Sequence, residues 1–94
     1  MNFEANHPTF QTRRFDVFRS QCRNREGVER DMYSAFCRYE VVSRPACTII
    51  VSRVLINGQP YVEWIDVDLD MRRKGVGDEV LLGIHEFIGR PPRN

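Results

Sequence analysis

The sequence predicts an α+β domain: N-terminal helices packed on a short antiparallel β-sheet, followed by a C-terminal helix. Three observations predict it. Two strand-like runs, Cys47–Ile56 and Tyr61–Val67, are rich in β-branched and aromatic residues and are joined through Asn57-Gly58. Val80, Leu81, Ile84, Phe87 and Ile88 then recur at helical spacing. Upstream, Val28, Met32, Ala35, Phe36 and Tyr39 fall at i, i+4, i+7, i+8 and i+11, the stripe of an amphipathic helix.

In chain order, Met1–His7 hold too few apolar residues to assign an element. Pro8-Thr9 can open a first helix, with Phe10, Arg14, Val17, Phe18 and Cys22 roughly on one stripe. Asn24–Gly27 is a break, and the second helical stripe follows it, with a strand over Ser34–Val42 competing for its end. Glu40–Val42 has the character of a short strand cut off by Ser43-Arg44-Pro45, because proline cannot donate to a ladder. Cys47–Ile56 is the strongest strand. Asn57-Gly58 signals a hairpin, since both residues tolerate positive φ, and Pro60 stands at the start of the returning strand. In that strand Tyr61, Glu63, Ile65 and Val67 share one parity and Val62, Trp64 and Asp66 the other. Gly89, followed by Pro91-Pro92, stops the last helix.

Ninety-four residues make one domain spanning 1–94, near the small end of what folds without staples. A hydrophobic fraction of 41%, a charged fraction of 29% and a net charge of +1 describe a soluble globule and argue against a generic polyanion binder. Thirteen of the fourteen cations are arginine, Lys74 being the exception. Cys22, Cys37 and Cys47 are odd in number and widely spaced, which predicts reduced thiols in an intracellular, cytoplasmic protein. No apolar run reaches the length of a membrane span, and MNFEANHPTF lacks a signal peptide's charged start and apolar core.

The stretch with most chemical content lies between the last strand and the last helix. Arg72-Arg73-Lys74-Gly75-Val76-Gly77 is a basic, glycine-bearing loop that opens a helix. Strand, basic glycine loop, helix is an arrangement that seats phosphate. Glycine lets the backbone approach an anion, the first free N–H groups of the helix point at it, and the helix dipole adds positive potential. Two familiar phosphate loops are excluded. G-x-G-x-x-G fails because Val80 stands three after Gly77, and G-x-x-x-x-G-K-[ST] is absent. Asp66, Asp68 and Asp70 form D-x-D-x-D, yet no glycine at the sixth place or glutamate at the twelfth completes an EF-hand.

Arg72, Gly75 and Gly77 fit Q/R-x-x-G-x-G/A, with Val67 five residues upstream. In this the chain resembles the GNAT superfamily, the GCN5-related N-acetyltransferases, and the hairpin Cys47–Val67 is similar to that family's central strand pair. The resemblance covers roughly Cys47–Gly89 and implies the N-terminal half of a GNAT fold, with the two N-terminal helices on the acceptor side. It implies acetyl-CoA (or CoA) as ligand: amides of Arg73, Lys74, Gly75, Val76, Gly77 and Asp78 on the pyrophosphate, Arg72 shaping the loop, and backbone groups around Val67 and Leu69 on the pantetheine arm. Glu63 is the implied general base for removing the proton of an acceptor amine, against the plainer role of a surface ion pair with Arg53.

Two departures are visible in the residues. Asp78 puts a carboxylate just after the last glycine, where it would repel a diphosphate if it faced the loop, and Glu79 raises the same question. After the loop helix the family continues with strands that supply the cofactor's second wall and a thiolate-protonating tyrosine. Here Tyr33, Tyr39 and Tyr61 all lie upstream and match no such role. His7 and His85 are far apart, and His85 neighbours the apolar stripe of the last helix, a packed or exposed position rather than a catalytic one.

Two functions follow. One is an acetyl-CoA-binding N-acetyltransferase acting on an amine, its slot completed by a homodimer through the bare edge of strand 61–67. The alternative is an inactive half-domain that binds a protein partner as a regulator or inhibitor. A nucleic-acid face made by Arg13, Arg14, Arg19, Arg23, Arg25 and Arg30 is disfavoured by the interspersed Asp16, Glu26 and Glu29 and by the lack of aromatic interleaving.

Overall fold

Alternation, rather than helical spacing, organises the N-terminal half. The computed structural model describes residues 7–40, 43–52 and 61–89. Its elements are β1 (Phe10–Gln11), β2 (Phe15–Arg23), β3 (Glu29–Cys37), β4 (Cys47–Ser52), β5 (Val62–Val67), a 3-10 turn at Leu69–Met71, and α1 (Val76–Ile88). The strands form one antiparallel sheet in the order β1-β2-β3-β4-β5, so every strand pairs with its neighbour in sequence.

The two N-terminal helices are therefore corrected to strands β2 and β3. Phe15 and Val17 on β2, and Tyr33 and Ala35 on β3, all point into the core and are fully buried. Residues two apart would diverge by about 200° on a helix, so one helix could not bury both members of either pair. The opposite face of the same strands also carries apolar residues, and Phe18 and Phe36 meet edge-to-face there, 5.8 Å between centroids. Apolar residues on both faces generate helical spacings by coincidence. The predicted break at Asn24–Gly27 is the β2–β3 hairpin turn. The Asn24 carboxamide oxygen accepts from the amides of Glu26 and Val28, and Gly27 takes φ 81°.

The predicted central hairpin is present, with Cys47 opposite Val67, Ile49 opposite Ile65 and Ile50 opposite Trp64. A bulge between Ile50 and Val51 shifts the register, leaving Glu63 as the extra residue of β5. The Asn57-Gly58 turn, Pro60, residues 53–56 and residues 41–42 lie outside the described residues, and Glu40 is not part of a strand.

Helix α1 covers one face of the sheet. Val76, Val80 and Ile84 recur every four residues and are buried against Phe15, Val17, Tyr33, Ala35, Cys47, Ile49 and Val51. Each such side chain contributes about 1.5–3 kcal/mol on burial. Phe10 of β1 locks the helix's far end, stacking on Phe87 at 5.3 Å and tilting onto Tyr33 at 6.2 Å. The close approach needs Gly83, where an added Cβ would lie 2.8 Å from Phe10 Cε1. Residues Val76–Ile88 end as predicted at Gly89, whose N–H donates to the His85 carbonyl. Among the described residues no helix is long and apolar enough to cross a membrane.

Candidate functional site

The loop between β5 and α1 is built from three local turns. Met71 N–H returns to the Asp68 carbonyl at 2.8 Å, closing the 3-10 turn. Arg73 and Gly75 then take left-handed φ values of 65° and 72°. Gly75 caps α1 without a side-chain hydrogen bond, and its carbonyl accepts from Glu79 N–H at 3.0 Å. The amides of Val76, Gly77 and Asp78 find no acceptor among the described residues, as the first turn of a helix leaves them, and that of Arg73 in the preceding loop finds none among them either.

Arg14 fixes the orientation of one further amide. Its Nη2 donates to the Lys74 carbonyl at 3.0 Å. The peptide is trans, so the Gly75 N–H projects to the opposite side from that carbonyl. Arg14 Nε also bonds Glu79 Oε1 at 2.5 Å, while the Thr12 hydroxyl and the Arg14 amide donate to Oε2 at 2.5 and 2.9 Å. Burial alone would raise the Glu79 carboxyl. These hydrogen bonds and the Arg14 charge outweigh it and hold the group below the usual carboxylate range. Glu79 is thus turned toward the β1–β2 corner rather than into the loop. Chain-distant partners such as Thr12 and Arg14 leave no local sequence signal, and the reading by motif missed them.

A shallow groove of about 410 Å³ runs between the loop and the β5 edge. Val67, Arg72, Arg73, Gly75, Val76, Gly77 and Asp78 all line it, together with Ile65, Asp66 and Met71. Two of the expected ligand-binding residues do not: Leu69 is 73% exposed outside the groove, and Lys74 presents its carbonyl to Arg14. Asp78 lines the groove and so brings its negative charge to the mouth. Arg72 Nε donates to the Val67 carbonyl at 3.1 Å, which places a cation at the strand end but occupies one acceptor expected for a pantetheine amide.

Glu63, the candidate base, stands apart from this groove. It pairs with the Arg30 guanidinium, reaching from the β5 bulge across β4 to β3. Arg53, its expected partner, lies outside the described residues. The aspartate triplet is also divided. Asp66 lines the groove, whereas Asp68 (3.3 Å from Arg44) and Asp70 line a separate hollow with Cys37, Glu40 and Met71. No cluster of three or more His, Cys, Asp or Glu side chains able to hold a metal is found among the described residues. His7 and His85 are both exposed.

The N-terminal arginines do not form one face. Arg14 engages Glu79, Arg19 lies over the Phe87 ring at 5.8 Å, Arg23 pairs with Glu29 at 3.1 Å, and Arg30 pairs with Glu63 on the opposite side of the sheet.

Comparison of the chain with protein-family models, with curated proteins and with solved structures found no match in any of the three. The resemblance to the GNAT superfamily accordingly rests on Val67, Arg72, Gly75 and Gly77 and on the order of strand, loop and helix in which they stand.

Proposed function

We propose that the chain is a GNAT-like acetyl-CoA-binding protein that moves an acetyl group to an amine. The observation that carries this reading is the convergence on one groove. Val67, Arg72, Arg73, Gly75, Val76, Gly77 and Asp78, seven of the nine ligand-binding residues that the resemblance implies, line a single surface onto which a strand end, a cationic side chain and the start of a helix open. A diphosphate there would meet the unbonded amides of the first helical turn and the helix dipole. Arg72 and Arg73 supply positive charge beside it, which Asp78 partly offsets.

Acetyl transfer requires that the acceptor amine lose a proton before attacking the thioester carbonyl. Glu63 is the base that the resemblance implies, and since it stands outside the groove and is paired with Arg30, the role requires an amine that reaches beyond the groove and displaces that pairing. Asp66, on the same groove, gives an ammonium group a favourable place to approach. Binding is tested by thermal unfolding with acetyl-CoA. A ligand that binds only the folded state stabilises it by about 2.7 kcal/mol at a hundred times its Kd. A rise in Tm that Gly75→Asp abolishes is the expected result, and no rise at millimolar acetyl-CoA overturns the reading. Glu63→Gln is expected to keep the rise and lose turnover.

A further inference from the structure

The geometry points to a second occupant at the groove's β5 edge: an extended segment of another protein, bearing lysine or arginine, that adds to the sheet as a sixth strand along β5. This goes beyond cofactor binding and does not depend on it, although a strand on Ile65 and Val67 would exclude a pantetheine arm from the same edge. β5 is the last strand of the sheet, and its outer edge meets no other strand among the described residues. Asp68 N–H donates to the Ala46 carbonyl, so the main-chain groups of Asp68, Asp66 and Trp64 face β4, and those of Val67 and Ile65 face outward. Arg72 reaches the Val67 carbonyl from that outer side. Ile65 N–H, Ile65 C=O and Val67 N–H remain as a short template for strand addition.

The side chains along this edge specify the partner. Trp64 is 57% exposed and Ile65 47%, one on each face of the sheet, so an added strand gains apolar contact on both. On the face of Trp64, cross-strand pairing makes a row of Met32, Ile50 and Trp64 that runs straight to the edge. Asp66 shares that face and has no ion-pair partner among the described residues, whereas Glu63 is already neutralised by Arg30. The complementary strand therefore places a cation opposite Asp66 and aliphatic residues against Ile65.

A second copy of this chain fits poorly, for electrostatic and geometric reasons. Antiparallel self-pairing of Ile65 with Val67 of the copy would set Asp66 directly against Asp66. Pairing Ile65 with Ile65 of the copy would instead match Val67 with the bulged Glu63, where the ladder is irregular and the Val67 carbonyl is taken by Arg72. Charge and bulge guard the edge against itself while leaving it open to a basic strand.

The test uses a nine-residue synthetic peptide of alternating valine and lysine. Titration is expected to shift the Ile65 and Val67 amide resonances and to change Trp64 fluorescence. Asp66→Lys, at an exposed position, is expected to weaken this peptide at least tenfold and to make a valine–glutamate peptide the better ligand. A valine–lysine peptide interrupted by prolines, of equal charge but unable to pair as a strand, is expected to leave the amides unmoved. No binding at millimolar peptide, equal binding of the proline peptide, indifference to Asp66→Lys, or a native mass showing a dimer that Ile65→Pro dissociates would each overturn the assignment.

Discussion

Arg14 and Glu79, sixty-five positions apart in the chain, join the β1–β2 corner to the first turn of α1 through a guanidinium–carboxylate contact of 2.5 Å. The Glu79 side chain is 20% exposed and its carboxylate accepts from Thr12 as well, so its loss leaves donors unpaired. Hydrogen bonds to a charged group are worth about 1.5–3 kcal/mol, and the partial exposure of Arg14 argues for the lower end. Glu79→Gln is expected to lower the urea midpoint at pH 7. The pH dependence has a definite sign. The folded carboxyl is held low, so its stabilising contribution is present above the unfolded value of ~4.3 and is lost as pH falls through the lower folded value. Wild-type stability is expected to decline more steeply with acid than that of Glu79→Gln. Parallel acid limbs in the two proteins would contradict this account.

The two glycines of α1 are predicted to respond oppositely to alanine. At Gly83 a new Cβ would stand 2.8 Å from Phe10 Cε1 and 3.0 Å from Thr12 Cγ2. Phe10 cannot yield easily, because Phe87 and Tyr33 hold its ring. Overpacking of this kind costs ~1–3 kcal/mol, more than the ~1 kcal/mol that alanine gains over glycine within a helix. At Gly77 the nearest atom is Val67 Cγ2 at 3.7 Å, an ordinary contact, so the propensity term prevails. Thermal melts should show Gly83→Ala falling and Gly77→Ala unchanged or rising.

The loop makes a third case. Gly75 has φ 72°, but no atom lies within 4 Å of a built Cβ. Its glycine is required by conformation rather than by space, and a left-handed alanine costs ~1–2 kcal/mol. Gly75→Ala is expected to destabilise by that order and Gly75→Asn by less, since asparagine tolerates the region better. Equal losses for the two, measured by denaturant unfolding, would show that some contact matters there instead.

The C-terminal half was legible in the sequence because each signal there was local. Asn57-Gly58 between two β-rich runs implied the antiparallel pairing of β4 with β5, and the Val80–Ile84 stripe marked the buried face of α1. The loop residues other than Leu69 and Lys74 likewise gathered on one groove because Val67 and Gly77 are ten positions apart on a strand, turn and helix of predictable geometry. The N-terminal half misled for an identifiable reason. Met32 and Phe36 point away from the core while Tyr33 and Ala35 point into it, so a helical stripe could be drawn through residues on opposite faces of one strand. Tyr33, fully buried and central to the core, was not on that stripe at all. Glu63 shows the other limit. Its partner Arg30 lies two strands away, a pairing that only the bulge and the full register reveal.

Cys47 provides the last prediction, at the alkaline end. The residue is 1% exposed, in the core opposite Ala35 and Val67. Burial, with a smaller contribution from the Asp66 charge, pushes its thiol up to about 11. A neutral thiol is thus favoured in the folded state. Its contribution is complete below the unfolded value of ~8.5 and is lost as pH rises through about 11. Other groups titrate in the same range, so the informative quantity is a difference. Between pH 9 and 11 the urea midpoint of wild type is expected to fall more than that of Cys47→Ala, which has no thiolate to form. The same burial makes alkylation of Cys47 dependent on opening of the sheet. Its rate with iodoacetamide at pH 8 should increase with sub-denaturing urea, whereas a rate independent of urea would mean that the thiol is reached without unfolding.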